Sequence, residues 1–196
     1  KKLSANNLTF DIVSEKIIPS EKSNGYTGRK EKINILPQLI YKHNRGNQFE
    51  THLQTYILQN IGKNGNKSLD KSIFGNNNIN IEWIGNEVSC GVGMQRIDIM
   101  VSNVINEYNR TLYPIELKSK SATSEITNQL QRYIDWIEQY YIPNRHSDIQ
   151  PIIISRKIGN KNNENYDNLI NSFNKFNNKN KNTTLKLKYI EFEING

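Results

Sequence analysis

Two short apolar runs, each interrupted by charged residues, constrain the fold of this chain more than any other feature. The first runs from Arg96 to Met100 around Asp98, and the second runs from Pro114 to Lys118 around Glu116. Side chains alternate across a strand, so Glu116 and Lys118 share one face while the apolar residues between them point to the other. If the two runs pair as an antiparallel hairpin, both carboxylates and the ammonium converge on one spot.

Such a spot suits the hydrolysis of a phosphodiester bond. Carboxylate oxygens are the hard ligands that Mg²⁺ prefers, so Asp98 and Glu116 are the predicted metal ligands, with Mn²⁺ able to substitute. Lys118 beside two acids stays protonated, which favours a role in orienting water or in stabilising the transition state. The alternative is that these are solvent-exposed charges on an ordinary one-sided sheet.

A helix is predicted to follow the second run. Apolar residues at helical spacing indicate an amphipathic helix over 124–141, and Gln129 lies at the margin of its apolar stripe, one turn before Tyr133. Gln129 there could position a metal-bound water, or it could simply border the core face. A second helix is predicted upstream, over about 47–61, with Glu50 at the edge of its stripe.

Three motifs follow one another along the chain: Asp98, Glu116-Leu117-Lys118, and the segment from Gln129 to Tyr133. Together they resemble the PD-(D/E)xK nuclease superfamily, in the RecB-like branch with a Q-x-x-x-Y extension. The chain is most similar in these motifs to the nuclease domain of the EndoMS/NucS endonucleases. The resemblance implies that Glu50 supplies a further catalytic acid, with a solvent-exposed helix acid as the alternative. The chain departs from the pattern of this family at two points: no Pro-Asp precedes Glu116, and no sliding-clamp peptide is recognisable at the C-terminus.

The predicted fold class is α/β, with a restriction-endonuclease-like core in which helices flank a mixed central sheet in the order αβββαβ and then αβ. Residues 1–44 are predicted to form an N-terminal arm that packs as short strands or contacts DNA or a partner, and residues 45–196 to form the nuclease domain. After the first helix we predict a polar Gly/Asn segment over 62–78. The remaining predicted elements are strands at 79–88, 95–101, 111–118, 149–155 and 184–193 and a helix at 166–177.

The positive net charge of the chain favours a polyanionic partner. The formal net charge is +7 and the isoelectric point is about 9.4, which suits double-stranded DNA, although a chain rich in Asn, Lys and Ile could be basic through genome composition alone. The predicted nucleic-acid contacts are Arg29, Lys30, Lys120, Arg132 and Tyr133.

The rest of the sequence argues against several kinds of site and several classes of protein. Cys90 is the single cysteine, so no intrachain disulfide can form and no zinc site is expected. No apolar run approaches the length of a membrane span, and no signal peptide is recognisable, so we expect a soluble, cytoplasmic protein without membrane contact. Cutting both strands of a duplex suggests a homodimer, and the chain could also be part of a larger protein.

Together these patterns predict a Mg²⁺-dependent DNA endonuclease, most consistent with a type II-like restriction enzyme or its cleavage domain. Mismatch- or structure-specific repair, including junction resolution, is the first alternative, because target choice resides outside the hydrolysing residues. A non-catalytic DNA-binding module that keeps the same fold is the second.

Overall fold

The computed structural model describes residues 4–5, 8–11, 16–19, 34–62, 66–75, 79–91, 93 and 95–194. The chain divides into two compact units, Lys1–Asn34 and Ile35–Gly196. The first contains a three-stranded antiparallel sheet made of β1 (Ser4–Ala5), β2 (Leu8–Asp11) and β3 (Lys16–Pro19).

The second unit is built on a six-stranded mixed sheet. Its strands are β4 (Ile81–Ser89), β5 (Arg96–Val104), β6 (Arg110–Lys118), β7 (Asp148–Ile149), β8 (Ile152–Arg156) and β9 (Lys188–Phe192). The spatial order is β4-β5-β6-β8-β9, with β7 also paired to β6. The β4–β5 and β5–β6 pairs are antiparallel, whereas β6 pairs with β8, and β8 with β9, in parallel.

Helices cover both faces of this sheet. They are α1 (Leu36–Asn44), α2 (Glu50–Asn60), α3 (Lys67–Phe74), α4 (Ile126–Trp136), which continues as a π-helical turn over Ile137–Tyr141, and α5 (Glu164–Lys179). Apolar residues of α4 and α5 form one buried core, and those of α1, α2 and α3 form the other. The central strands are therefore apolar on both sides, as β8 shows with four consecutive buried residues.

The predicted fold class is confirmed: a mixed sheet is flanked by helices, and the elements from α2 onward follow the expected order apart from one added helix, α3. That helix lies inside the segment 62–78, for which we had predicted a polar Gly/Asn segment and no helix. The Asn66 side chain caps it by accepting hydrogen bonds from the backbone N–H groups of Ser68 and Leu69. Ile73 and Phe74 bury its last turn in the core.

Two further elements differ from the sequence prediction. The single strand expected over 149–155 is interrupted at Gln150-Pro151, because proline has no N–H to donate to the ladder. Residues 36–44 form helix α1, whose Leu39 is buried in the core of the second unit. The boundary between the two units thus falls at Asn34, ahead of the arm boundary that we had placed at residue 44.

Candidate active site

The β5–β6 hairpin sets the two predicted metal ligands side by side. Ile99 pairs with Ile115 in this hairpin, so extending the register by one residue places Asp98 opposite Glu116. The hairpin that the sequence pattern predicted is therefore present.

Glu116 is a buried carboxylate held at both oxygens. Glu116 as a whole is only 1% exposed. Lys118 Nζ donates to Oε1 at 2.7 Å, and the Tyr133 hydroxyl donates to Oε2 at 2.8 Å. Burial raises the pKa of Glu116, although the Lys118 charge and both hydrogen bonds oppose the rise. Hydrogen bonds from Lys118 on β6 and from Tyr133 on α4 thus fix the orientation of the Glu116 side chain.

Asp98 lies in an electrostatically unfavourable position for a carboxylate. Its Oδ2 accepts a hydrogen bond from the backbone N–H of Leu117 at 2.7 Å. Burial, and then the Glu116 charge, nevertheless raise the pKa of Asp98 from 3.8 to about 7. Two neighbouring acids that both have raised pKa values gain from a cation placed between them, because the cation offsets their repulsion.

Lys118 connects this acidic pair to solvent. Its side chain is 33% exposed, and it lines a cleft of about 580 Å³. Burial alone would lower the pKa of Lys118, but the Glu116 carboxylate, with smaller contributions from Glu50 and Asp98, opposes burial, and the pKa lies above its ordinary value. The ammonium is therefore protonated at neutral pH, as the sequence argument expected.

Glu50 comes to the same cleft from the first residue of α2. Its Oε1 accepts hydrogen bonds from Ser119 N at 3.1 Å and from Ser119 Oγ at 3.2 Å. The Glu50 charge also contributes to raising the pKa values of Glu116 and Lys118. Ser119 was not among the predicted site residues, although its N–H and hydroxyl hold Glu50.

The α4 residues meet the pair from the opposite face of the sheet. Gln129 lines the cleft, and its Nε2 donates to the Tyr133 hydroxyl at 2.6 Å. That hydroxyl lies 2.8 Å from Glu116 Oε2 and 2.6 Å from the Arg96 carbonyl oxygen. Burial raises the pKa of Tyr133 well above its ordinary value, and the Glu116 charge adds to the rise. The phenol therefore stays protonated.

This arrangement corrects one predicted DNA contact. Tyr133 is only 1% exposed, so its ring cannot reach a nucleic acid, and its hydroxyl positions Glu116 instead. Lys120 and Arg132 are exposed and line the cleft, where their charges are open to a ligand. Arg29 and Lys30 lie outside the described residues.

The donor set fits a hard divalent cation that needs few protein ligands. In the part of the chain that the structure describes, no three His, Cys, Asp or Glu side chains are close enough together to hold an ion. Mg²⁺ is commonly bound through one or two carboxylates and keeps several waters and substrate oxygens. Asp98 and Glu116 supply such a pair.

Comparisons with known proteins add little to this geometry. No protein-family model matches the chain, and no curated protein is similar to it in sequence. A solved structure of an EndoMS–dsDNA complex overlaps all of this chain and 65% of that chain, with 11% identity and a TM-score of 0.41. The chain thus spans less than two thirds of that protein, and the similarity is too distant to support an inference about function. Across the described residues, no helix has the length and apolarity of a membrane span.

Proposed function

We propose that this protein is a Mg²⁺-dependent DNA endonuclease that hydrolyses phosphodiester bonds in an active site formed by Asp98, Glu116 and Lys118. One observation carries the proposal: the Lys118 ammonium lies 2.7 Å from buried Glu116, beside Asp98, and opens onto a cleft. The same residues carry the sequence resemblance to PD-(D/E)xK nucleases.

Asp98 and Glu116 would hold the cation. When bound, Mg²⁺ polarises a phosphoryl oxygen and lowers the pKa of a coordinated water. The chain's own contribution is orientation: Lys118 and Tyr133 fix both oxygens of Glu116, and the Leu117 N–H fixes one oxygen of Asp98. These contacts hold the acids in place before substrate arrives, so little reorganisation is needed during the reaction.

Lys118 has a second task toward the substrate. Its pKa is raised, so it carries a positive charge where the phosphate gains negative charge in the transition state. Glu50, tied to Ser119, lies beside it at the rim of the cleft and is the candidate for orienting the attacking water together with Gln129.

Lys120 and Arg132 would bind the flanking backbone phosphates. Both are exposed on the cleft wall, and contacts of this kind give sequence-independent affinity that falls with salt. We assign double-stranded DNA as the substrate and restriction-type cleavage as the biological task. A homodimer would then place one site on each strand.

The proposal is tested by incubating the protein with supercoiled plasmid, linear duplex DNA, mismatched duplexes and four-way junctions, each with Mg²⁺, Mn²⁺ or EDTA. We expect discrete duplex fragments that require the metal. Cutting confined to mismatches or junctions would move the assignment to repair. Binding without cleavage under every metal would overturn the nuclease proposal and leave a DNA-binding module.

A further inference from the structure

A buried glutamine that the sequence argument did not single out connects three elements behind Asp98. Gln54 lies on α2 and is only 6% exposed. Its Nε2 donates to the backbone carbonyl oxygen of Asp98 at 2.6 Å and to Glu87 Oε1 at 2.9 Å. One side-chain amide therefore ties α2 to β5 at the candidate metal ligand and to β4 at a further acid.

Glu87 has an unusual backbone for this position. Its φ is +51°, and it is the single non-glycine residue with positive φ in the described part of the chain. A residue with a Cβ is strained there, and such strain persists where the surrounding structure holds it. The bond from Gln54 holds the Glu87 side chain directly.

The register places Glu87 level with the two predicted ligands. Asn86 pairs with Ile99 and Val88 pairs with Ile97, so Glu87 lies between these pairs, opposite Asp98. Glu87, Asp98 and Glu116 thus form a row of acids across β4, β5 and β6.

Glu87 does not complete a set of ligands. No three acid, His or Cys side chains in the described residues are close enough to hold an ion together. Its second oxygen instead lies 3.6 Å from Arg96 Nη1. Its carboxylate nevertheless lies close to the Asp98 backbone, because the Gln54 amide donates to both. Glu87 is therefore placed to act on Asp98 from the neighbouring strand rather than to bind the ion itself.

We propose that Gln54 and Glu87 are positioning residues for the candidate metal site, which act through Asp98. Gln54 fixes the Asp98 backbone and holds the Glu87 carboxylate beside it. Glu87 adds negative potential that strengthens the attraction of the Asp98–Glu116 pair for a divalent cation. The inference rests on the proposed function, because it concerns the cation of that site. Residues outside the ligand set commonly change metal affinity by about 10–100-fold.

The test is a calorimetric titration of the whole protein with Mn²⁺ at about pH 8, above the raised pKa of Asp98, which is about 7. Glu87→Gln keeps an acceptor for Gln54 while removing the charge. Glu107→Gln removes the same charge from the exposed β5–β6 loop and is the matched control. Gln54→Leu removes the donor to both partners. Melting temperatures in EDTA report whether each variant is folded.

We expect Glu87→Gln to bind Mn²⁺ about tenfold more weakly than the parent protein, with Glu107→Gln unchanged, and Gln54→Leu to bind more weakly still. Parental affinity in Glu87→Gln would overturn the positioning role of Glu87 and leave the proposed function standing. Equal weakening in Glu87→Gln and Glu107→Gln would overturn it too, because the effect would then be one of net charge. Absence of Mn²⁺ binding by the parent protein would overturn both this inference and the proposed metal site. Because Glu87→Gln keeps the hydrogen bond, the result does not depend on whether Gln54→Leu folds.

Discussion

Replacing Asp98 with asparagine is expected to stabilise the metal-free protein while removing its proposed activity. Asp98 is partly buried beside Glu116, and its pKa is raised from 3.8 to about 7, first by burial and then by the Glu116 charge. Asparagine carries no charge, and its side-chain oxygen can still accept from the Leu117 N–H. The substitution therefore removes a repulsion without removing the hydrogen bond.

The sign of this change in stability follows from proton binding. The folded-state pKa lies above the unfolded value, so between about pH 4 and pH 7 the folded protein holds the extra proton and loses stability as the pH rises. At about 1.36 kcal/mol for each pKa unit, the full cost of ionised Asp98 at about pH 8 is about 4 kcal/mol. Solvent reaches part of the side chain, so we expect roughly half of that, about 2 kcal/mol.

The measurement is urea unfolding of the parent protein and Asp98→Asn in EDTA at about pH 5 and about pH 8, where the variant's advantage should be larger at the higher pH. Adding Mg²⁺ should then stabilise the parent protein but not the variant, because ligand binding stabilises only the folded state that binds it. A variant that is no more stable than the parent at about pH 8 in EDTA would refute the electrostatic account of Asp98.

Other substitutions probe separate parts of the site. Lys118→Met should reduce cleavage by about 10²-fold or more while the protein still binds Mn²⁺ at about pH 8, measured by plasmid cleavage and calorimetry; undiminished cleavage would remove Lys118 from the mechanism. Tyr133→Phe deletes a donor that lowers the pKa of Glu116, so the acid limb of the pH–rate profile should move to higher pH, and an unmoved limb would contradict the contact. Lys120→Ala and Arg132→Ala should each reduce the slope of log affinity for DNA against log salt by about 1, and an unchanged slope would show that the residue binds no phosphate. Leu130→Ala, at a position with 0% exposure, should lower the free energy of unfolding by about 2–5 kcal/mol in urea, whereas a loss below about 1 kcal/mol would contradict its place in the core.

The β5–β6 hairpin could be predicted from sequence because its signal is local. Alternation along β5 and β6 determines which residues share a face, and the short polar loop between them limits how they pair. Glu116 and Lys118 therefore lie together as the pattern indicated. The amphipathic spacing of α4 likewise placed Gln129 and Tyr133 on the side that meets the sheet.

The connections between distant elements could not be predicted from sequence. Gln54 bonds to residues 33 and 44 positions away, and no pattern in α2 distinguishes it from an ordinary polar helix residue. The positive φ of Glu87 also has no sequence signal, because it is imposed by the fold. Tyr133 was predicted to contact DNA, but its ring is buried and its hydroxyl donates to a buried acid, and no local pattern in the sequence indicates that partner.

Composition misled the prediction for residues 62–78. Asn and Gly make up nearly half of that segment, yet Asn66 caps α3 and the apolar end of α3 is buried by tertiary packing. Tertiary contacts of this kind override local propensity.

The central claim is that this chain hydrolyses DNA with a divalent cation held at Asp98 and Glu116. The most direct test is the rate of strand cleavage of plasmid DNA in Mg²⁺ by the parent protein, Glu116→Gln and the exposed-loop control Glu107→Gln. The account predicts metal-dependent cleavage by the parent and the control, and a loss of at least about 10²-fold in Glu116→Gln. Equal cleavage by all three proteins, or cleavage that persists in EDTA, would contradict it.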